Sequence, residues 1–128
     1  MVLFKDYHIA EIRSGSKTET RREWDEPQVK EGNIYMAVSS SMVPDGVSPI
    51  FASHDDCDCY IRVLDVEQQQ LGEMTDEEAR REGDYEDLED FKDNGYEAVY
   101  GEGSWDPTKE VYRVQMEYVG RSRPESAT

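Results

Sequence analysis

Gly15-Ser16-Lys17-Thr18-Glu19-Thr20-Arg21-Arg22 is the stretch from which the rest of the chain is read, because it sets a glycine, a lysine, a threonine and an arginine at the mouth of a strand. Gly15 follows a helical pattern and supplies the left-handed residue that ends a helix. Thr18 to Trp24, with its threonines and tryptophan, favours the pleated surface of a strand. Alternation along that strand puts Thr18, Thr20, Arg22 and Trp24 on one face. Lys17 is out of phase with Thr20, so it reaches the same pocket only from the loop that precedes the pleat.

Upstream, Val2 to Ser14 spaces Tyr7, Ile9, Ala10 and Ile12 as the inward stripe of one helix, which would anchor the Lys17 loop. Downstream, Asp25 to Glu31 is a polar loop containing Pro27, and Gly32-Asn33 is a turn signal before the apolar strand Ile34 to Val38. Ser39 to Ser53, with Pro44, Asp45, Gly46 and Pro49, reads as a long loop near the pocket mouth. Cys59 to Val66 is the clearest strand of the chain. Thr75-Asp76-Glu77-Glu78 is a capping box, so a helix starts there, runs to about Glu82 and ends at Gly83. Asp84 is placed to cap a second helix with Tyr85, Leu88 and Phe91 as its stripe and Asn94-Gly95 as its stop. Tyr96 to Tyr100 reads as a helix end or a short strand. Val111 to Val119 alternates as a final strand, with Tyr112, Val114, Met116 and Tyr118 on its apolar face, and residues 120–128 read as a disordered tail.

With 128 residues the chain suits one domain, here residues 1–119. Thirty acidic residues against fourteen basic ones give a net charge of -16, spread along a sequence that keeps its apolar clusters. A disordered acidic chain would lack such clusters. Acidity spread over a foldable sequence suits solubility in concentrated salt, so a halophilic source is expected. The same charge repels a phosphate backbone, and no arginine and lysine stripe marks a broad nucleic-acid surface. In molar salt, where the Debye length falls to about 3 Å, recognition must rest on a shaped pocket, stacking and hydrogen bonds. No apolar run is long enough to span a membrane and no basic leader precedes an apolar core, so the expected location is cytoplasmic. His54, Cys57 and Cys59 lack the fourth ligand of a structural zinc site, and no metal and no cofactor are expected.

The spacing Gly-x-Lys-x-x-Thr-x-Arg, here Gly15, Lys17, Thr20 and Arg22, resembles the signature of the ASCH domain family, relatives of the PUA RNA-binding domain. The motif covers the first third of the chain, and the order of elements extends the resemblance over most of it. Asn33 departs mildly from the Gly-Asp pair common before the second strand of such domains. The resemblance implies an α+β fold, a small mixed PUA-like β-barrel with an N-terminal helix and two short helices after the third strand.

It also implies function. The family includes small enzymes resembling an amidohydrolase that removes the acetyl group from acetylcytidine, using a lysine and a threonine of the motif and a glutamate of the helical segment. Lys17 and Thr20 match the first two, and Glu82 fits the third, with Glu78 in reserve. In that reading Lys17, partly desolvated beside Arg22, is the base, Thr20 is the nucleophile or positions water, and Glu82 protonates the departing nitrogen. Arg22 or backbone amides stabilise the oxyanion. The competing class is a binding pocket for a nucleobase, a modified nucleoside or RNA, with Gly15, Arg21, Arg22 and Trp24 around it. Trp24, Tyr35 and Tyr60 then offer stacking faces, and Arg21, Arg22, Arg80 and Arg81 a local positive patch. A third class is an interaction domain without chemistry.

Overall fold

The computed structural model describes residues 2–39 and 59–121. Its frame is a five-stranded sheet in the order β1-β3-β4-β5-β2. The strands are β1 (Val2–Phe4), β2 (Glu19–Arg22), β3 (Ile34–Ser39), β4 (Cys59–Gln70) and β5 (Glu110–Gly120). Neighbours pair antiparallel except β1 with β3, which are parallel. The α+β class is as expected, but the closed barrel is not: among the described residues no ladder joins β1 to β2. These end strands have only 3 and 4 residues, and the helix α1 (Asp6–Ser14) lies against β3 and β5 instead.

β4 and β5 form the long ladder. Val63 pairs with Met116 and Asp65 with Gln115, which leaves Leu64 as an inserted residue pointing to solvent. A bulge of this kind bends the strand and increases its twist. On one side of the bend Ile61, Val63, Val114 and Met116 pack with Ile9 and Ile12 of α1. At the far end Leu71 and Val111 pack with Met74, Ala79 and Phe91. Val111 has the opposite parity to Val114 and Met116, so both faces of β5 are used, whereas Tyr118 of the expected apolar face is exposed.

Several boundaries differ from those expected. The first helix begins only at Asp6, because Val2, Leu3 and Phe4 are drawn into the sheet opposite Ala37, Val38 and Ser39. The nine-residue helix then buries only Ile9 and Ile12, and Tyr7 and Ala10 face outward. β2 spans Glu19 to Arg22, so Thr18 and Trp24 flank it. β3 takes in Ser39, and the rest of the expected loop, with His54 and Cys57, lies outside the described residues. Cys59 is buried in β4. β5 includes Gly120, one residue into the expected tail, and residues 122–128 lie outside the described part.

The helix α2 (Asp76–Arg81) opens as expected: the Glu78 N–H donates to Thr75 Oγ1 at 3.1 Å and the Thr75 N–H to Glu78 Oε1 at 3.2 Å. The next cap is not Asp84 but Asp87, whose Oδ1 accepts from the Asp90 N–H at 2.8 Å. Helix α3 (Leu88–Asp90) then runs through a π-helical segment (Phe91–Tyr96) into α4 (Glu97–Tyr100) without stopping at Asn94-Gly95. Gly95 is needed for close approach, since a Cβ there would lie 2.7 Å from the Tyr85 hydroxyl. The stop is Gly101, with φ 107.

Candidate functional site

The Lys17 loop is pinned between two helix ends. Gly15 adopts φ 88 at the end of α1, and the N–H groups of Ser16 and Lys17 both donate to the Glu11 carbonyl, at 3.0 and 3.1 Å. On the other side the Thr18 N–H donates to the carbonyl of Arg81 at 2.7 Å, tying the loop to the end of α2. Glu82 is the residue that follows, so the two helix ends bring Lys17 and Glu82 together across 65 positions.

Lys17 is almost fully buried, and its ammonium donates three hydrogen bonds: to the Glu82 carbonyl at 2.7 Å, the Glu19 carbonyl at 3.0 Å and Glu82 Oε1 at 3.2 Å. Three acceptors match the three protons of an ammonium. Burial, the largest influence, pushes its pKa below the ordinary value, with Glu82 pulling it up and Arg22 pulling it further down. The other oxygen of Glu82 accepts from Arg21 Nη1 at 2.8 Å. Arg21 also donates to Glu19 at 2.9 Å and Glu78 at 2.5 Å, both from Nη2, and from Nε to Gln69 at 3.1 Å. Burial disfavours the Arg21 charge, but Glu82, Glu19 and Glu78 outweigh it and its pKa is raised. A fork of fixed donors meeting several carboxylates is the geometry for which arginine is suited.

Thr20 and Arg22 alternate onto the opposite face of β2. Arg22 Nε donates to Thr20 Oγ1 at 3.1 Å, and its guanidinium carbon stands 4.7 Å from the centre of the Phe4 ring. Lys17 Nζ is 5.9 Å from the same ring, so β1 contributes an aromatic platform for both cations. Above Lys17, Thr20, Arg21, Arg22 and Glu82 opens a cavity of about 190 Å³. Its walls are aromatic. Tyr85 meets Phe91 edge to face at 5.3 Å, Tyr96 donates its hydroxyl hydrogen bond to Glu23, and Tyr100 stands at the rim. The hydroxyls of Tyr85, Tyr96 and Tyr100 all have raised pKa values, chiefly through burial, and so remain protonated donors.

His8, from α1, closes another side of the cavity. Its Nδ1 lies 2.6 Å from Glu11 Oε1, and its ring neighbours are Tyr7 at 4.4 Å and Tyr85 at 6.4 Å. Burial, then the charges of Lys17 and Arg22, lower its pKa to about 3, so the imidazole is neutral.

The structure thus brings Lys17, Thr20, Arg21, Arg22 and Glu82 to one cavity. Gly15 and Trp24 do not line it: Gly15 shapes the loop, and Trp24 packs on the sheet core with Tyr35. Tyr60 is also core. Glu78 reaches Arg21 from beneath without lining the cavity. Arg80 donates to the Glu86 carbonyl and Arg81 to Glu19 and Glu77, so neither joins Arg21 and Arg22 at the cavity. Sequence reasoning missed Phe4, His8, Tyr85, Tyr96 and Tyr100 as lining residues. One local signal was available for His8, its spacing of three from Glu11 on a helix, which sets the two side chains side by side.

No protein-family model matches the sequence, and no curated protein does. Solved structures do match in fold. A protein of Enterococcus faecalis V583 described under DUF984 superposes with a TM-score of 0.62 and 17% identity, over 94% of this chain and 77% of that one. The ASCH domain from Lactobacillus crispatus gives 0.60 and 13%, over 94% and 78%. A single-substitution mutant of the ASCH protein from Zymomonas mobilis gives 0.56 and 13%, over 91% and 66%. The chain has an ASCH-like fold. Among the described residues no helix is long and apolar enough to cross a membrane.

Proposed function

We propose that this ASCH-like chain binds a nucleobase, free as a modified nucleoside or presented by RNA, in the cavity above Lys17 and Glu82. One observation carries the reading: a space of about 190 Å³ with aromatic walls ends on a buried floor of Lys17, Glu82 and Arg21 joined by hydrogen bonds. Aromatic walls suit the faces of a base, and fixed donors and acceptors suit its polar edge. The volume lies below the roughly 300–1,000 Å³ of drug-sized sites, which suits a single base and not a stretch of nucleic acid. A net charge of -16 likewise argues against a long phosphate track.

Hydrolysis of an N-acylated base is the second reading, favoured by the buried ammonium and carboxylate held 3.2 Å apart. Their hydrogen bonds support roles reversed from those the resemblance implies, in which Lys17 is the base and Glu82 the acid. Glu82 takes a proton from the attacking water as its oxygen bonds to the acyl carbon. Lys17, whose hold on its proton burial weakens, protonates the departing nitrogen as the carbon–nitrogen bond breaks. Transfer from Glu82 to Lys17 then restores both groups. Thr20 Oγ1 accepts from Arg22, which leaves its own proton to orient the water.

The test is made in molar potassium chloride, to which the acidic surface is suited. Titration with cytidine and acetylcytidine should show binding that Lys17→Ala removes, and chromatography should show cytidine released from acetylcytidine only by the parent protein. Binding without release leaves the pocket and rejects the hydrolase. Neither binding nor release favours an interaction domain.

A further inference from the structure

We propose that His8 is the residue that reads the ligand: a neutral imidazole fixed by Glu11 as its Nδ1–H tautomer, whose Nε2 lone pair selects bases presenting an N–H donor. The inference rests on the nucleobase reading of the cavity and specifies which bases it accepts.

The tautomer follows from the partners. Glu11 Oε2 accepts the backbone N–H of Asp84 at 2.6 Å, and Oε1 lies 2.6 Å from His8 Nδ1. A carboxylate engaged by a donor on one oxygen acts as acceptor on the other, so Nδ1 carries the proton and Nε2 the lone pair. No described residue hydrogen-bonds to Nε2. The ring also divides two spaces. Glu11 bounds a separate, more open space of about 580 Å³ beyond α1, together with Tyr7, Ser14 and Asp84, and has no part in the cavity, whereas His8 lines the cavity and not that space. The Nδ1 edge is turned to Glu11, which leaves the opposite edge for the cavity. Tyr7 and Tyr85 contact the ring and hold its plane.

His8 adds an acceptor to a site rich in donors. Lys17, Arg21 and Arg22 can only donate, and each Glu82 oxygen already accepts one hydrogen bond, from Lys17 and from Arg21, whereas His8 Nε2 is engaged by no described residue. Burial first, and then the charges of Lys17 and Arg22, keep His8 uncharged, so it remains an acceptor across the physiological range. An exocyclic amine keeps an N–H when acylated once and loses it when alkylated twice. The pocket should therefore accept an amino or acylamino base and refuse a dialkylated one, because a ligand without the donor leaves a desolvated acceptor unpaired.

Three probes separate size from hydrogen bonding: cytidine, acetylcytidine, and cytidine dimethylated on the exocyclic nitrogen. The acetyl compound is bulkier than the dimethyl one but retains its N–H. Titrated into the full chain in molar potassium chloride, the first two should bind about tenfold more tightly than the third. His8→Phe should bring all three to similar affinity, and Glu11→Gln, which no longer dictates the tautomer, should reduce the discrimination. Nitrogen-15 spectra of the ligand-free protein should show Nδ1 protonated and Nε2 unprotonated from about pH 5 to 8, with the Nε2 resonance moving when cytidine binds. Equal binding of the three probes overturns the inference and leaves the nucleobase pocket standing, as does a resting Nε2–H tautomer. No binding by any of them overturns the pocket and the inference together. Should His8→Phe fail to fold, the parent protein's discrimination and tautomer, with Glu11→Gln, still decide.

Discussion

The two faces of β2 carry neighbouring arginines and use them in opposite ways. On one face Arg21 is enclosed by Glu19, Glu78 and Glu82, all within 2.9 Å, and its pKa is raised. On the other, Arg22 lies against the Phe4 ring and donates to Thr20, and burial lowers its pKa. The first arrangement holds β2 to the helical layer and sets the Glu82 carboxylate. The second places a cation along the cavity, where a polar ligand atom can meet it. Adjacent residues of one strand thus take different partners, Arg21 the buried carboxylates and Arg22 the Phe4 ring and Thr20, because the pleat sends them to different sides.

Removing the Arg21 charge should produce the largest effect. Arg21→Met leaves buried Glu19 and Glu82 without their shared cation and should lower stability by about 3–5 kcal/mol, measured by urea unfolding in molar salt. A loss no larger than that of Arg22→Met would break the comparison.

Acid should separate the two sides next. His8, on the pocket side, has a folded pKa of about 3 against an ordinary 6.5, so the unfolded chain binds the extra proton between these values. Its contribution is complete above pH 6.5 and is lost as pH falls toward 3, with a slope of at most about 1.4 kcal/mol per pH unit. Glu78, beneath Arg21, has a folded pKa below its ordinary 4.5, because bonds from Gln69, Arg21 and Thr75 outweigh burial. Its contribution is present above pH 4.5 and disappears as pH falls through its folded value. Stability measured from pH 8 downward should therefore decline first through His8, a segment that His8→Phe removes, and later through Glu78, which Glu78→Gln removes.

Arg22→Met should lower stability by only about 0.5–2 kcal/mol, the range of a partly desolvated cation over a ring, while weakening nucleoside binding. Arg81→Gln, which loses a half-exposed cation from Glu19 and Glu77, should change stability by about 0.2–1 kcal/mol, and by less in molar salt. A larger effect would move Arg81 into the group of carboxylate-locked cations.

The readings that held were those settled by a few consecutive residues. The Thr75 to Glu78 capping box, the left-handed Gly15 and the strand beginning near Ile34 all depend on local backbone chemistry. Lys17 also lies before the pleat, as its phase required. What escaped depends on partners far along the chain. Val2 to Phe4 has enough helical spacing to extend α1 and becomes a strand only because β3 is beside it. Gly95 looks like a helix stop until the Tyr85 hydroxyl is seen to need its missing Cβ. Trp24, Tyr35 and Tyr60 are aromatic enough to stack on a base, yet the sheet core claims them, and the cavity is walled by other rings. Local pattern cannot rank aromatics by destination, because burial is decided by packing.

Lys17 has one more partner whose meaning lies outside the cavity. The Thr18 carbonyl accepts from the Met116 N–H across the β2–β5 ladder, so the carbonyls of Thr18, Thr20 and Arg22 turn inward and that of Glu19 turns to the outer border of the sheet. The Lys17 ammonium covers that carbonyl at 3.0 Å. An uncovered border strand is a template on which another chain can add its own. Lys17 therefore occupies an acceptor that an added strand would need at this border.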